Sequence, residues 1–142
     1  MANIVELREL DEAKLEEMLE DAREALFKLR FRDASAQLED YSQIKASRRE
    51  VAQIQTVLNM RQKAVDVAAA VAEIAAVLDG KTWEASARFD YEASVYQVSF
   101  VDDNGTQLAS ASVNLNKKRV QSRRARQEKA QPSLVSNYKV AG

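Results

Sequence analysis

The stretch that decides the fold runs from Leu26 to Leu58. It opens as Leu26-Phe-Lys-Leu-Arg-Phe31, continues through Asp33-Ala-Ser-Ala-Gln-Leu-Glu-Asp-Tyr-Ser42, and passes into Ile44, Val51 and Leu58. Before it, Leu15, Met18, Leu19, Ala22, Leu26 and Leu29 fall at the three- and four-residue spacing of one helical stripe. Asp11 stands between Leu10 and Leu15 as an N-cap flanked by a hydrophobic staple. That helix is expected to end near Phe31–Ala34. The polar run 33–42 connects it to a second helix, with Ser42 as the expected cap. In the second helix, Ile44, Val51, Leu58 and Val65 recur every seven residues, with Ile54 and Ala68 between them. Two striped helices joined by a short loop pack antiparallel.

Working outward, Lys63–Leu78 keeps a helical pattern and is rich in alanine, either prolonging the second helix or forming another buried one. Asp79-Gly80 is the stop signal. The period then changes from helical to two. Trp83, Ala85, Ala87, Phe89 and Tyr91 alternate with Glu84, Ser86, Arg88, Asp90 and Glu92, as in a half-buried strand. Val95–Val101 is a second strand and Leu108–Leu115 a third, joined by Asp102-Asp-Asn-Gly-Thr106, where Asn104-Gly105 is expected to supply the left-handed positions. The expected architecture is mainly α: an antiparallel two-helix hairpin over 1–63, a helix extension over 64–80, a small three-stranded antiparallel β meander over 81–116 and a basic, flexible tail over 117–142.

Charge is segregated along the chain. The net charge of −1 is the sum of −6 over residues 1–25, +3 over 26–62, −5 over 63–116 and +7 over 117–142. The absence of cysteine removes disulfides, thiolate metal sites and thiol nucleophiles, and the absence of histidine removes the usual neutral-pH acid/base group. No cofactor site and no enzymatic constellation is read. Asp90, Asp102 and Asp103 are the nearest thing to a metal set, and as strand and turn residues they read better without one. No signal segment and no membrane span is expected.

The ordered segments also resemble a known family. Glu6-Leu-Arg-Glu-Leu10, Leu26-Phe-Lys-Leu-Arg-Phe31, Ala34-Ser35 with Gln37-Leu38, and Arg48-Arg-Glu-Val-Ala52 with Ile54 and Thr56-Val-Leu58 resemble the bacterial-type large-subunit ribosomal protein number twenty-nine family over about residues 4–63. Arg61 falls where that family's second helix ends in a basic stretch. The sequence departs from the pattern at Ala36, where the family usually has glycine, at Asp40-Tyr41, at Gln53 and at Asp33.

The resemblance implies a structural constituent of the large ribosomal subunit, in the cytoplasmic ribosome, that binds ribosomal RNA near the nascent-chain exit. The implied partners are large-subunit ribosomal RNA, neighbouring ribosomal proteins such as number twenty-three, and targeting or chaperone factors. The residues expected to carry RNA contact are Lys28, Arg30, Arg32, Ser35, Gln37, Lys45, Arg48, Arg49 and Arg61. From the tail they are joined by Lys117, Lys118, Arg119, Arg123, Arg124 and Arg126. Phe31 has two readings, a base-stacking ring or an apolar plug closing the hairpin, and Tyr138 likewise stacks on a base or docks a neighbouring protein. The competing reading is a coiled-coil adaptor with a C-terminal β interaction module.

Overall fold

A computed structural model describes residues 3–117, 123 and 133–141. The chain divides into two compact units, Met1–Asn59 and Met60–Gly142.

The first unit begins with a short helix, α1 (Ile4–Glu9), closed by a capping box in which the Asn3 N–H donates to Glu6 Oε2 at 3.2 Å. Helix α2 (Glu12–Ala34) starts after Asp11, as expected. Leu15 is fully buried and Leu10 packs into the same cluster, so the staple forms. Leu7 from α1, Leu15, Leu19 and Ala22 from α2, and Ile54 and Val57 from α3 (Ser42–Ala69) make up this core.

The end of α2 is a Schellman motif. The Gln37 N–H donates to the Arg32 carbonyl at 2.9 Å and the Ala36 N–H to the Asp33 carbonyl at 3.0 Å. That geometry puts Ala36 at φ 55°, in the left-handed region where glycine is the unstrained residue. Ser42 proves to be the first residue of α3. The acceptor at this helix start is Asp40, whose Oδ1 takes the Ser42 N–H at 2.9 Å. Hydrogen bonds from Ser42 hold the Asp40 carboxyl below its usual range.

The buried stripe of α3 is the expected one in part: Ile54 and Ala68 are buried as expected, and the row that holds them turns inward. Ser47, Ile54, Arg61 and Ala68, seven residues apart, are 8%, 1%, 9% and 0% exposed. Ile44, Val51, Leu58 and Val65 are only half-buried. The small side chains of Ser47 and Ala68 let the helix approach its neighbours on that row, and the branched row is left at its flank.

In the second unit, α3 stops at Ala69, the chain bends at Ala70-Val71, and α4 (Ala72–Leu78) follows. Gly80, at φ 69°, takes the left-handed turn that ends α4. The sheet then runs β1 (Trp83–Asp90), β2 (Val95–Asp102), β3 (Gln107–Val113) and β4 (Val135–Val140), antiparallel throughout and in sequence order. It has four strands where three were expected, because Val135–Val140, in the segment read as a tail, pairs with β3.

One sheet face carries Ala87, Tyr96, Val98, Phe100, Ala109, Ala111 and Val113, which form one core with Ala64, Ala68, Ile74 and Leu78 of the helices. Trp83 lies edge-on to Phe100 at 5.4 Å, and Phe89 edge-on to Tyr96 at 5.1 Å.

The β2–β3 turn departs from expectation in one residue: Gly105 alone is left-handed, at φ 82°, and Asn104 is not. The Gly105 N–H donates to the Asp102 carbonyl and the Asp102 N–H to the Thr106 carbonyl, which is a three-residue loop needing one left-handed position, not two.

Candidate nucleic-acid interface

The cations expected to meet RNA fall into three groups. Arg30 and Arg32 are exposed on the last turns of α2, and Lys45, Arg48 and Arg49 are exposed on the first turns of α3. The connection 35–41 between these helices places both sets at the bend of the hairpin. None of the five takes part in an ion pair among the described residues. Gln37 and Ser35 are exposed in the same connection. The Ser35 hydroxyl donates to the Phe31 carbonyl at 3.0 Å, which leaves its oxygen as an acceptor.

Lys28 stands differently. It is exposed, but Nζ lies 2.6 Å from Glu24 Oε1, one turn back on α2. That ion pair holds the Glu24 carboxyl below its usual range.

Arg61 corrects the sequence reading. Helix α3 does not end there, and the side chain is buried and engaged within the protein. Its place in the buried row with Ile54 and Ala68 is the reason. That seven-residue spacing was the signal in the sequence, overshadowed by the branched row beside it.

The third group is the C-terminal basic segment. Lys118, Arg119, Arg124 and Arg126 lie outside the described residues. Arg123 is exposed. Lys117 is exposed too, and its Nζ donates to the Ser133 carbonyl at 2.8 Å. The Asn114 N–H donates to the Leu134 carbonyl at 2.8 Å. These two bonds join Asn114 and Lys117, after β3, to Ser133 and Leu134, ahead of β4. Tyr138 ties β4 to α4. Its hydroxyl hydrogen-bonds the Glu73 carboxylate of α4, which raises the phenol above its usual value.

Phe31 is no plug. It is 65% exposed and Phe27, one turn before it, is 68% exposed. Both lie outside the stripe of Leu15, Leu19 and Ala22, so the hairpin's own core cannot reach them. Two of the three aspartates considered as metal ligands are occupied as turn acceptors: Asp90 Oδ1 takes the Glu92 N–H at 3.0 Å, and Asp102 Oδ1 takes those of Asn104 and Thr106 at 2.9 Å. Among the described residues there is no cluster that could hold a metal and no helix long and apolar enough to cross a membrane.

The family model for ribosomal L29 protein matches residues 5–61, the span that builds this bend. The large ribosomal subunit protein uL29 of Corynebacterium aurimucosum is 48% identical over 63 residues, which cover 44% of this chain and 83% of that protein. This chain belongs to the ribosomal L29 protein family. Its likeness to the uL29 of Rubrobacter xylanophilus is 47% over 58 residues, covering 41% of this chain and 87% of the relative. For the uL29 of Streptomyces coelicolor the identity is 41% over 61 residues, covering 43% and 82%. Almost a whole L29 protein is thus contained in the first part of the chain, and residues 62–142 lie beyond the family match. No solved structure matches the chain.

Proposed function

We propose that this L29 family member is a structural component of the large ribosomal subunit and that the bend of its hairpin grips ribosomal RNA near the nascent-chain exit. The observation that supports this most is the set of five exposed cations, Arg30, Arg32, Lys45, Arg48 and Arg49, unpaired among the described residues and gathered at one end of the family-matched hairpin. Guanidinium groups on two neighbouring helix ends can straddle adjacent phosphates, each bound through two N–H donors. RNA helices offer mainly phosphates and 2′-hydroxyls, so recognition there is a matter of shape and charge. Gln37 and Ser35 add neutral hydrogen bonds to sugar and phosphate oxygens. Phe27 and Phe31 offer rings for stacking beside the charges.

Ion pairing makes Lys28 a weaker contributor, and burial takes Arg61 out of the surface. The basic segment after β3 supplies a second contact, on its charge. Neighbouring ribosomal proteins, with number twenty-three foremost, and factors that meet emerging chains belong to the same reading. The chemistry is architecture and assembly, with no catalytic step and no cofactor.

Co-sedimentation with large subunits through moderate salt tests this. Replacing Arg30, Arg48 and Arg49 with Gln should release the protein at lower salt than the parent, because fewer counterions are displaced from the RNA. A variant that stays bound at every salt concentration at which the parent does would remove the bend from the RNA interface.

A further inference from the structure

The two edges of the sheet are built differently. Strand β4 is six residues long, carries Lys139, and pairs with β3 through a register shift at Ser112/Val113. A short strand, a lysine and a bulge are devices that keep an edge from pairing with another chain. Strand β1 has none of them. It runs for eight residues, Trp83-Glu-Ala-Ser-Ala-Arg-Phe-Asp90, without lysine, glycine or proline, and its register with β2 is unbroken from Trp83 to Asp90. Among the described residues no strand pairs with its outer side. A regular row of backbone N–H and C=O groups is therefore left as a template for one more strand.

The side chains of β1 say which strand fits. When two copies of one strand pair antiparallel about a two-fold axis, one residue faces its own copy and every other pair follows from it. Centring on Glu84 or Arg88 sets like charges directly opposite, and centring on Ala87 sets Glu84 against Asp90. Centring on Ala85 or Phe89 shortens the overlap. Centring on Ser86 sets Trp83 opposite Phe89 of the second copy, Glu84 opposite its Arg88, and Ala85 opposite its Ala87, with the same pairs repeated beyond the axis. Glu84, Ser86 and Arg88 are all exposed. Arg88 is already engaged within its own chain, but a guanidinium has five N–H donors and can take a second acceptor.

The apolar side of the strand fits the same register. Beside Trp83 lies a shallow apolar hollow of about 570 Å³, walled by Ala72, Ala75 and Ala76 of α4 and by the Trp83 ring. Trp83 is 37% exposed and Tyr91 is 46% exposed, and Tyr91 lies edge-on to Phe89 at 4.9 Å. With Ser86 on the axis, the second copy's Phe89 comes opposite Trp83 and its Tyr91 opposite Lys81. The pair of rings thus arrives beside the hollow, on the face where the helices lie. One operation covers an exposed ring and fills a hollow, and it is the operation that the charges select.

We propose that this protein self-associates through β1, as a two-fold pair in which the strands of two copies meet at Ser86 and join their sheets into one. The surface lies outside the L29 match and does not depend on RNA binding.

The test is sedimentation equilibrium of the full chain, freed of nucleic acid, over a range of concentrations. The mass should rise from one chain towards two and stop there, because a two-fold pair uses up both copies of β1. A mass of one chain at every concentration up to the millimolar range overturns the proposal, and so does a mass that climbs beyond two. Arg88→Glu sets carboxylates opposite each other on both sides of the axis, and Glu84→Arg does the same with guanidiniums. Each variant alone should associate at least about tenfold more weakly than the parent. An equal mixture of the two restores both opposite-charge pairs and should recover most of the loss, as should the double variant. If the single variants associate like the parent, or the mixture is as weak as its components, the proposal is overturned. Should circular dichroism show that Arg88→Glu loses its fold, Tyr91→Ser takes its place. It leaves the strand unaltered and should weaken association about threefold, and unchanged association by that variant also overturns the proposal.

Discussion

The two units of this chain solve the problem of stability in opposite ways. Among the described residues, the first unit, which carries most of the L29 match, buries six side chains in one cluster between helices, while Phe27, Phe31 and Tyr41 stay exposed. The second buries twelve in one cluster, including the rings of Tyr96 and Phe100, between helices and a sheet. Short hairpins with a thin seam are marginal by themselves, since a helix gains most of its stability from packing. Both units leave aromatic rings exposed, the second at Trp83, Tyr91 and Tyr138, so the difference lies in the core: a thin seam in the family-matched part and a larger, self-contained core in the extension.

The comparison can be broken most forcefully at Phe100, which is fully buried. Phe100→Ala should cost the second unit about 3–5 kcal/mol. Trp83, the sole tryptophan and in edge contact with Phe100, reports it by fluorescence in urea. The hairpin's helical signal should hardly move, and a joint loss of both signals would mean that the units fold as one.

The converse change is Ile54→Ala, 1% exposed, which should cost the hairpin about 2–3 kcal/mol and lower helical circular dichroism while the Trp83 emission keeps its midpoint.

Ala36→Gly sharpens the comparison from the stabilising side. The left-handed φ of 55° favours glycine, so the hairpin should gain about 0.5–1 kcal/mol, read as a higher midpoint of its helical transition.

The smallest effect is with pH. Asp40 has its carboxyl lowered in the folded chain by bonds from Ser42, so its contribution is present above the ordinary aspartate value and is lost as pH falls through the lowered one. Amide exchange at the start of α3 should therefore quicken on acidification below about pH 4, and Asp40→Asn should flatten that dependence.

Much of this was legible in the sequence. The Leu15–Ala22 stripe, Asp11 before α2, Gly80 after α4 and the alternation from Trp83 to Asp90 each state a local rule that the structure obeys. Arg61 was not legible: Ile54 and Ala68 of its row were expected in the stripe, but the charged Arg61 and polar Ser47 in the same row carry no hydrophobic signal of burial. Nor was β4. Val135, Tyr138 and Val140 favour a strand, but Ser136, Asn137 and Lys139 between them make it a polar edge, and it forms because β3 and Glu73 are there to receive it. Of the candidate site, spacing and antiparallel packing place the bend cations at one end of the hairpin, and the family resemblance makes them candidates for RNA contact. Polar rows across the sheet could not be read, since they exist only once the register joins residues that are far apart in the chain.

The pinning of Lys117 to Ser133 has a topological consequence. Together with the Asn114 N–H on the Leu134 carbonyl, it fastens the start of β4, and the Ala141 N–H on the Leu108 carbonyl fastens its end. An edge strand bound at one end alone peels off bond by bond from the loose one. Held at both, β4 has no loose end to start from, and its amides should exchange with solvent as one group.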